Sequence, residues 1–128
     1  MDNAMNETER PLILVAEDDD SNFKLIKAIA GKKCNLMWAR TGKEILDLYK
    51  QHRGEARLIL MDIKMPNIDG LDATRAIREM DKDIPVIAVS AYAYENEKEE
   101  AMESGCNEFL TKPIDYDILK KTLNKYFK

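Results

Sequence analysis

The stretch from Leu58 to Gly70, LILMDIKMPNIDG, passes from an unbroken apolar run into a turn at a single aspartate. Leu58, Ile59, Leu60 and Met61 have the pattern of a strand buried on both faces, as in a parallel sheet. Asp62 ends the run, and Pro66, Asn67, Asp69 and Gly70 behind it are residues that punctuate turns. This reading puts Asp62 at the carboxyl end of a central strand, the edge at which open α/β sheets form their ligand crevice. Alone, an Asp in that place is more often a turn or capping residue. Its weight therefore depends on what the other strands bring to the same edge.

Upstream, Leu12 to Ala16 is a second continuous apolar run, and it stops at Glu17, Asp18, Asp19 and Asp20. A helix follows, with Asp20 or Ser21 as cap, Phe23, Ile26 and Ala30 at helical spacing, and Gly31 at its end. Leu36 to Ala39 reads as a short strand. Thr41 and Glu44 then form the T-x-x-E of a capping box, opening a helix whose Ile45, Leu48 and Tyr49 share a face and which Gly54 ends. Downstream, Leu71 to Met80 is helical, with Ala73, Ile77 and Met80 on one side. Val86 to Val89 is a strand ending at Ser90, and Glu95 to Ser104 an acidic helix closed by Gly105. Phe109 to Thr111 is a fifth strand ending at Lys112 and Pro113. Asp115 caps a last helix whose apolar face is Ile118, Leu119, Thr122, Leu123 and Tyr126. Five strands alternating with five helices predict an α/β fold with a doubly wound five-stranded parallel sheet.

The 128 residues fit one domain, with residues 1–10 read as a flexible leader or linker and the folded unit as residues 11–128. Hydrophobic residues at 45% and charged residues at 34% suit a soluble globular chain. No apolar run reaches the roughly 20 residues that span a bilayer, and nothing resembles a signal peptide, so a cytoplasmic setting is expected. The net charge of −4, with basic residues dispersed, disfavours direct nucleic-acid binding. Cys34 and Cys106 have no metal-ligand spacing and read as free thiols, and His52 stands alone, without support for a metal site or a triad.

The strand ends carry the information. Glu17 and Asp18 follow the first strand, Asp62 the third, Ser90 the fourth and Lys112 the fifth, and in a parallel sheet these ends share one edge. Carboxylates gathered there raise each other's pKa unless a cation neutralises them. A hard, oxygen-preferring ion such as Mg²⁺ meets that need. A nearby hydroxyl and ammonium suit a phosphoryl group, the first as hydrogen-bond donor and the second as point charge. The set points to phosphoryl transfer onto a carboxylate, with Asp62 as nucleophile.

The motifs ILVAEDD, LILMDIKMPNIDG, VIAVSA and FLTKP, in that order, make the chain resemble the receiver domains of two-component response regulators, from Leu12 to about Phe127. The resemblance implies a flavodoxin-like (βα)5 fold with strand order 2-1-3-4-5. It implies that Asp62 is the phosphoacceptor and that Glu17, Asp18, Asp62 and the backbone carbonyl of Lys64 hold Mg²⁺, for which Mn²⁺ can substitute. Ser90 and Lys112 complete the catalytic set, Ser90 and Phe109 form the switch pair, and Lys64 and Tyr92 are candidates for setting the dephosphorylation rate. The implied phosphodonor is a histidine kinase or phosphotransfer domain. The implied output is a downstream protein engaged by the fourth helix, fifth strand and fifth helix, on which the Glu95 to Glu103 run otherwise reads as a solvated face. Such a chain catalyses its own phosphorylation and slow hydrolysis without being a turnover enzyme. It would stand free or be part of a hybrid sensor kinase. A phosphatase of the haloacid dehalogenase type, the rival enzyme, has a second Asp two residues after its nucleophile, where this chain has Lys64. A degenerate receiver acting as a phosphorylation-independent docking module is the other alternative.

Overall fold

The computed structural model describes residues 10–65, 69–91 and 94–127. The elements alternate as β1 (Leu12–Ala16), α1 (Asp20–Ala30), β2 (Asn35–Ala39), α2 (Gly42–Gln51), β3 (Ala56–Asp62), α3 (Gly70–Met80), β4 (Val86–Ser90), α4 (Glu95–Ser104), β5 (Glu108–Thr111) and α5 (Tyr116–Tyr126). All strand pairs are parallel, in the order β2-β1-β3-β4-β5. This is the doubly wound, flavodoxin-like arrangement that the alternation and the family resemblance lead one to expect.

The period of two along each strand divides the core into two layers. Leu14, Ala16, Ile59, Met61, Val86 and Ala88 face Ile45, Tyr49, Ala73, Ile77 and Ala101 of α2, α3 and α4. Ile13, Val15, Leu58, Leu60, Ile87 and Val89 face Ile26, Ala30, Leu119 and Leu123 of α1 and α5. Because β1, β3 and β4 are covered on both sides, they have no polar face, which is why their sequences read as unbroken apolar runs.

Local chemistry sets the element ends. Asp19, rather than Asp20 or Ser21, is the cap of α1 and accepts from the Asn22 N–H at 3.1 Å. Thr41 accepts from the Glu44 N–H at 3.1 Å, while Glu44 reaches back to the Arg40 N–H, one residue before the usual capping-box partner. Asp115 caps α5 as expected. β3 is longer than its apolar run, starting at Ala56 and taking in Asp62, and α2 stops at Gln51, ahead of Gly54. Ile118 is not on the buried face of α5. It is 53% exposed, whereas Leu119, Thr122 and Leu123 are buried, because at 100° per residue only one side of that helix meets the sheet.

At the sheet edge away from Asp62, Arg78 donates to the carbonyls of Gly105 (2.9 Å) and Asp81 (3.1 Å) and to Asn107 Oδ1 (2.8 Å). Gly105 ends α4 with φ +114°, and a Cβ there would run into the Arg78 side chain. Asp81, just past α3, accepts from the Asp83 and Ile84 N–H groups (2.8 and 3.0 Å) and from the hydroxyl of buried Tyr49 (2.9 Å). Burial alone would raise the Asp81 carboxyl, but these donors and the Arg78 charge outweigh it and hold it below its ordinary value. The contribution of Asp81 to stability is thus complete above its unfolded pKa, about 3.9, and lost as pH falls through the lower folded value. Asp81→Ala is expected to cost about 1–2 kcal/mol at pH 7. Urea denaturation should show that difference shrinking toward pH 3.

Candidate functional site

The registers Ala16↔Met61, Asp62↔Val89 and Ser90↔Thr111 align the ends of β1, β3, β4 and β5. Glu17, Asp62, Ser90 and Lys112 consequently lie side by side along the carboxyl edge. Glu17, Asp62 and Ser90 are buried and Asp18 is exposed. One oxygen from each of Glu17, Asp18 and Asp62 lies within 4.8 Å of the others.

One ammonium stands among these carboxylates. Lys112 Nζ is 3.1 and 3.2 Å from the two Glu17 oxygens and 3.2 Å from Asp62 Oδ2. Its side chain is only 14% exposed. Burial by itself would lower the Lys112 pKa, but Asp62 and Glu17 outweigh it and raise it, so the ammonium form is secure. Asp62 is the strained member. Burial, reinforced by the Glu17 charge, pushes its carboxyl up to about 7 against the pull of Lys112. Asp62 Oδ1 accepts the Lys64 N–H at 3.3 Å; Oδ2 is buried without a hydrogen bond, so its contact with Lys112 is one of charge.

The backbone around the site is tightly specified. The Glu17 N–H donates to Ala39 O (2.9 Å), its carbonyl accepts Trp38 Nε1–H (2.7 Å), and its Oε2 accepts the Asp19 N–H (3.1 Å). Lys112 N–H donates to Ser90 O (2.8 Å), and the Lys112–Pro113 bond is cis. Gly70 N–H donates to Ile63 O (2.9 Å), bringing the first turn of α3 against the segment after Asp62. A Cβ on Gly70 would collide with the Asp62 carbonyl and lie 2.9 Å from Ile63 Cα.

Each predicted site residue among the described ones can now be placed. Glu17, Asp18, Asp62 and Lys112 form one cluster, and Ser90 ends the adjoining strand. Lys64 projects an exposed side chain two residues beyond Asp62. Phe109 lies farther down, half-buried on β5 opposite Ala88 and packed on the α2–α4 side of the core. Tyr92 lies outside the described residues. The sequence reading did not single out Trp38. Its signal was that the chain's one tryptophan falls at the end of a short strand.

The arrangement can hold a divalent cation. Octahedral Mg²⁺ with oxygens at about 2.1 Å sets its ligands about 3–4 Å apart, and the oxygens of Glu17, Asp18 and Asp62 lie within 4.8 Å of one another. The un-hydrogen-bonded Asp62 Oδ2 and the exposed Asp18 carboxylate supply oxygens of the right hardness. Fold and site together define an α/β domain with an acidic strand-end centre and a lysine across from it. The family model of the response regulator receiver domain matches residues 13–124. Hybrid signal transduction histidine kinase I of Dictyostelium discoideum is 42% identical over 120 residues, covering 88% of this chain; the chain spans 7% of that relative's length. The polar-differentiation response regulator DivK of Brucella anthropi is 35% identical over 117 residues, covering 89% of this chain and 94% of DivK. The receiver domain of the sensor histidine kinase PA1611 from Pseudomonas aeruginosa has a TM-score of 0.81 at 28% identity, over 91% of this chain and 97% of that one. Its structure has a magnesium ion coordinated in the active-site cleft. The chain belongs to the response regulator receiver domain family.

Helix propensity alone would make Gly70→Ala stabilising by about 1 kcal/mol. The backbone collision is expected to win and cost about 1–3 kcal/mol, read as a lower urea midpoint. Asp62→Asn removes a buried charge that Glu17 opposes. In EDTA it should be more stable than the parent by about 1–3 kcal/mol at pH 8, where the parent carboxyl is ionised. An unchanged or lowered melting temperature would contradict the crowding of charge described above.

Proposed function

We propose that this receiver domain is a phosphorylatable switch in which Asp62 takes a phosphoryl group from a phosphohistidine. The observation that carries the reading is the juxtaposition of a buried, charge-crowded Asp62 with Glu17, Asp18 and Lys112 at one sheet edge. On this reading Glu17, Asp18, Asp62 and the Lys64 carbonyl hold Mg²⁺. The bound ion supplies positive charge to the phosphoryl oxygens and keeps the carboxylates ionised.

The chain's own groups do the rest. Asp62, ionised, attacks phosphorus; the new P–O bond forms as the P–N bond to the donor histidine breaks. Lys112, already 3.2 Å from Asp62, turns part of its charge to a phosphoryl oxygen, and the Ser90 hydroxyl donates to another. Because Lys112 is shared with Glu17, moving toward the phosphoryl group loosens a contact that holds β1 to β5. Hydrolysis of the aspartyl phosphate needs water at the exposed side, which Lys64 and Tyr92 would regulate.

The output follows from Ser90 and Phe109, on neighbouring strands β4 and β5. Recruitment of Ser90 shifts Phe109 further into the core and repopulates the α4-β5-α5 face. Among the described residues, the exposed large hydrophobics are Tyr94, Met102, Tyr116 and Ile118, all on α4, its cap or α5. That clustering favours a downstream protein on this face. A histidine kinase or phosphotransfer domain is the phosphodonor, in the cytoplasm, whether the chain acts alone or within a hybrid kinase such as its Dictyostelium relative.

Incubation with Mg²⁺ and acetyl phosphate should add one phosphoryl group by intact mass, absent in EDTA and in Asp62→Asn. No addition, either from acetyl phosphate or from a phosphorylated histidine phosphotransfer protein, would replace this reading with that of a phosphorylation-independent docking module.

A further inference from the structure

Glu17 is held more elaborately than a metal ligand on a loop requires, and the holding group lies on another strand. Trp38, at the end of β2, donates its indole N–H to the Glu17 carbonyl at 2.7 Å, and the next residue, Ala39, accepts the Glu17 N–H at 2.9 Å. The indole is itself locked. The Phe23 ring of α1 stacks on it at 4.0 Å and 3°, and the Arg40 guanidinium lies over it at 4.0 Å from the centroid. Arg40 in turn is paired to Asp20, in the first turn of α1, at 2.7 Å. A ladder of contacts thus runs from a surface ion pair, through the Arg40 guanidinium and an indole on which Phe23 also stacks, to the backbone of the residue whose carboxylate meets Lys112. An indole in a stack of this kind has little rotational freedom. Its N–H is therefore a fixed reference for the β1–α1 turn.

Resting on the reading of the cluster as a divalent-cation site, we propose that Trp38 is the positioning residue of that site. Its N–H fixes the Glu17 carbonyl and so places the carboxylates of Glu17 and Asp18. Cation binding is then coupled to the indole: drawing Glu17 toward an ion alters the hydrogen bond that Trp38 makes. Outer-shell partners of metal ligands commonly govern affinity by 10–100-fold. Trp38 acts through the backbone rather than on a ligand atom, which places its effect at the lower end, about tenfold.

The chain has one tryptophan, so its emission is unambiguous. The test is titration of the whole chain with MgCl₂ without phosphodonor, followed by calorimetry and by indole fluorescence. The parent is expected to show an emission change that saturates along the calorimetric isotherm. Trp38→Phe keeps a ring for Phe23 and Arg40 but loses the donor; it should bind Mg²⁺ about tenfold more weakly with an unchanged circular dichroism spectrum. Arg40→Gln, which alters only the exposed end of the ladder, should weaken binding less and keep the emission response. A folded Trp38→Phe that binds Mg²⁺ within twofold of the parent would overturn the proposal. If that variant does not fold, parent emission that stays flat while calorimetry shows saturation would overturn it equally. A parent that binds no Mg²⁺ by calorimetry would remove the cation site itself and this inference with it.

Discussion

The structure turns on one ion-pair arrangement, in which Lys112 at the end of β5 reaches across the sheet edge to Glu17 and Asp62 at the ends of β1 and β3. Three carboxylates and one ammonium leave a net negative centre, half of it out of water. In the absence of a further cation the imbalance falls on Asp62, which is buried beside Glu17, and raises its proton affinity. Burial of that kind is unfavourable for folding. It is tolerated because the rest of the sheet is two full apolar layers, and its consequence is chemical: the site favours whatever brings positive charge to it.

Topology explains why the groups converge. A parallel sheet puts every strand's carboxyl end on one side, and the order β2-β1-β3-β4-β5 sets β1, β3, β4 and β5 side by side. Each strand ends its apolar run with one polar residue, so the boundary between core and site is a single residue thick. Ala16 precedes Glu17 and Met61 precedes Asp62 at matched register. Gly70 adds the constraint from above, since only a residue without a Cβ lets α3 approach the Asp62 carbonyl.

Most of this was legible in the chain because it depends on local patterns. Apolar runs ending in Glu17, Asp62, Ser90 and before Lys112 disclose both the parallel sheet and its edge chemistry. Boundaries were less legible. The N-cap of α1 could fall on any of several adjacent acidic or hydroxyl residues, and Asp19 rather than Asp20 or Ser21 was selected by where the chain leaves Glu17. Ile118 looked like core because apolarity marks a helix face only to within a residue's rotation. Contacts between distant segments were least legible. Arg78 joins α3 to the end of α4 and to Asn107, and Trp38 reaches Glu17 across 21 residues of sequence. In both cases a side chain recognises backbone or an amide whose position only the fold defines, and such partners leave no periodic trace.

The helices are unequally anchored, and the inequality has a direction. α3 buries Leu71, Ala73, Thr74 and Ile77, and α5 buries Leu119, Thr122 and Leu123, whereas α4 buries only Ala101 and Ser104, both in its second half. The Arg78 bond to Gly105 O secures that same end. The first turn of α4 has no side-chain cap, carries Glu95 and Glu97, and begins five residues after Ser90, the last residue of β4. Low apolar burial and an uncapped start place this turn at the least stable end of the fold. The first half of α4 is therefore less firmly held beside the end of β4 than α3 is. The acidic composition of α4 is what weakens its packing: with Glu95, Glu97, Glu99, Glu100 and Glu103 along it, few apolar side chains are left to bury.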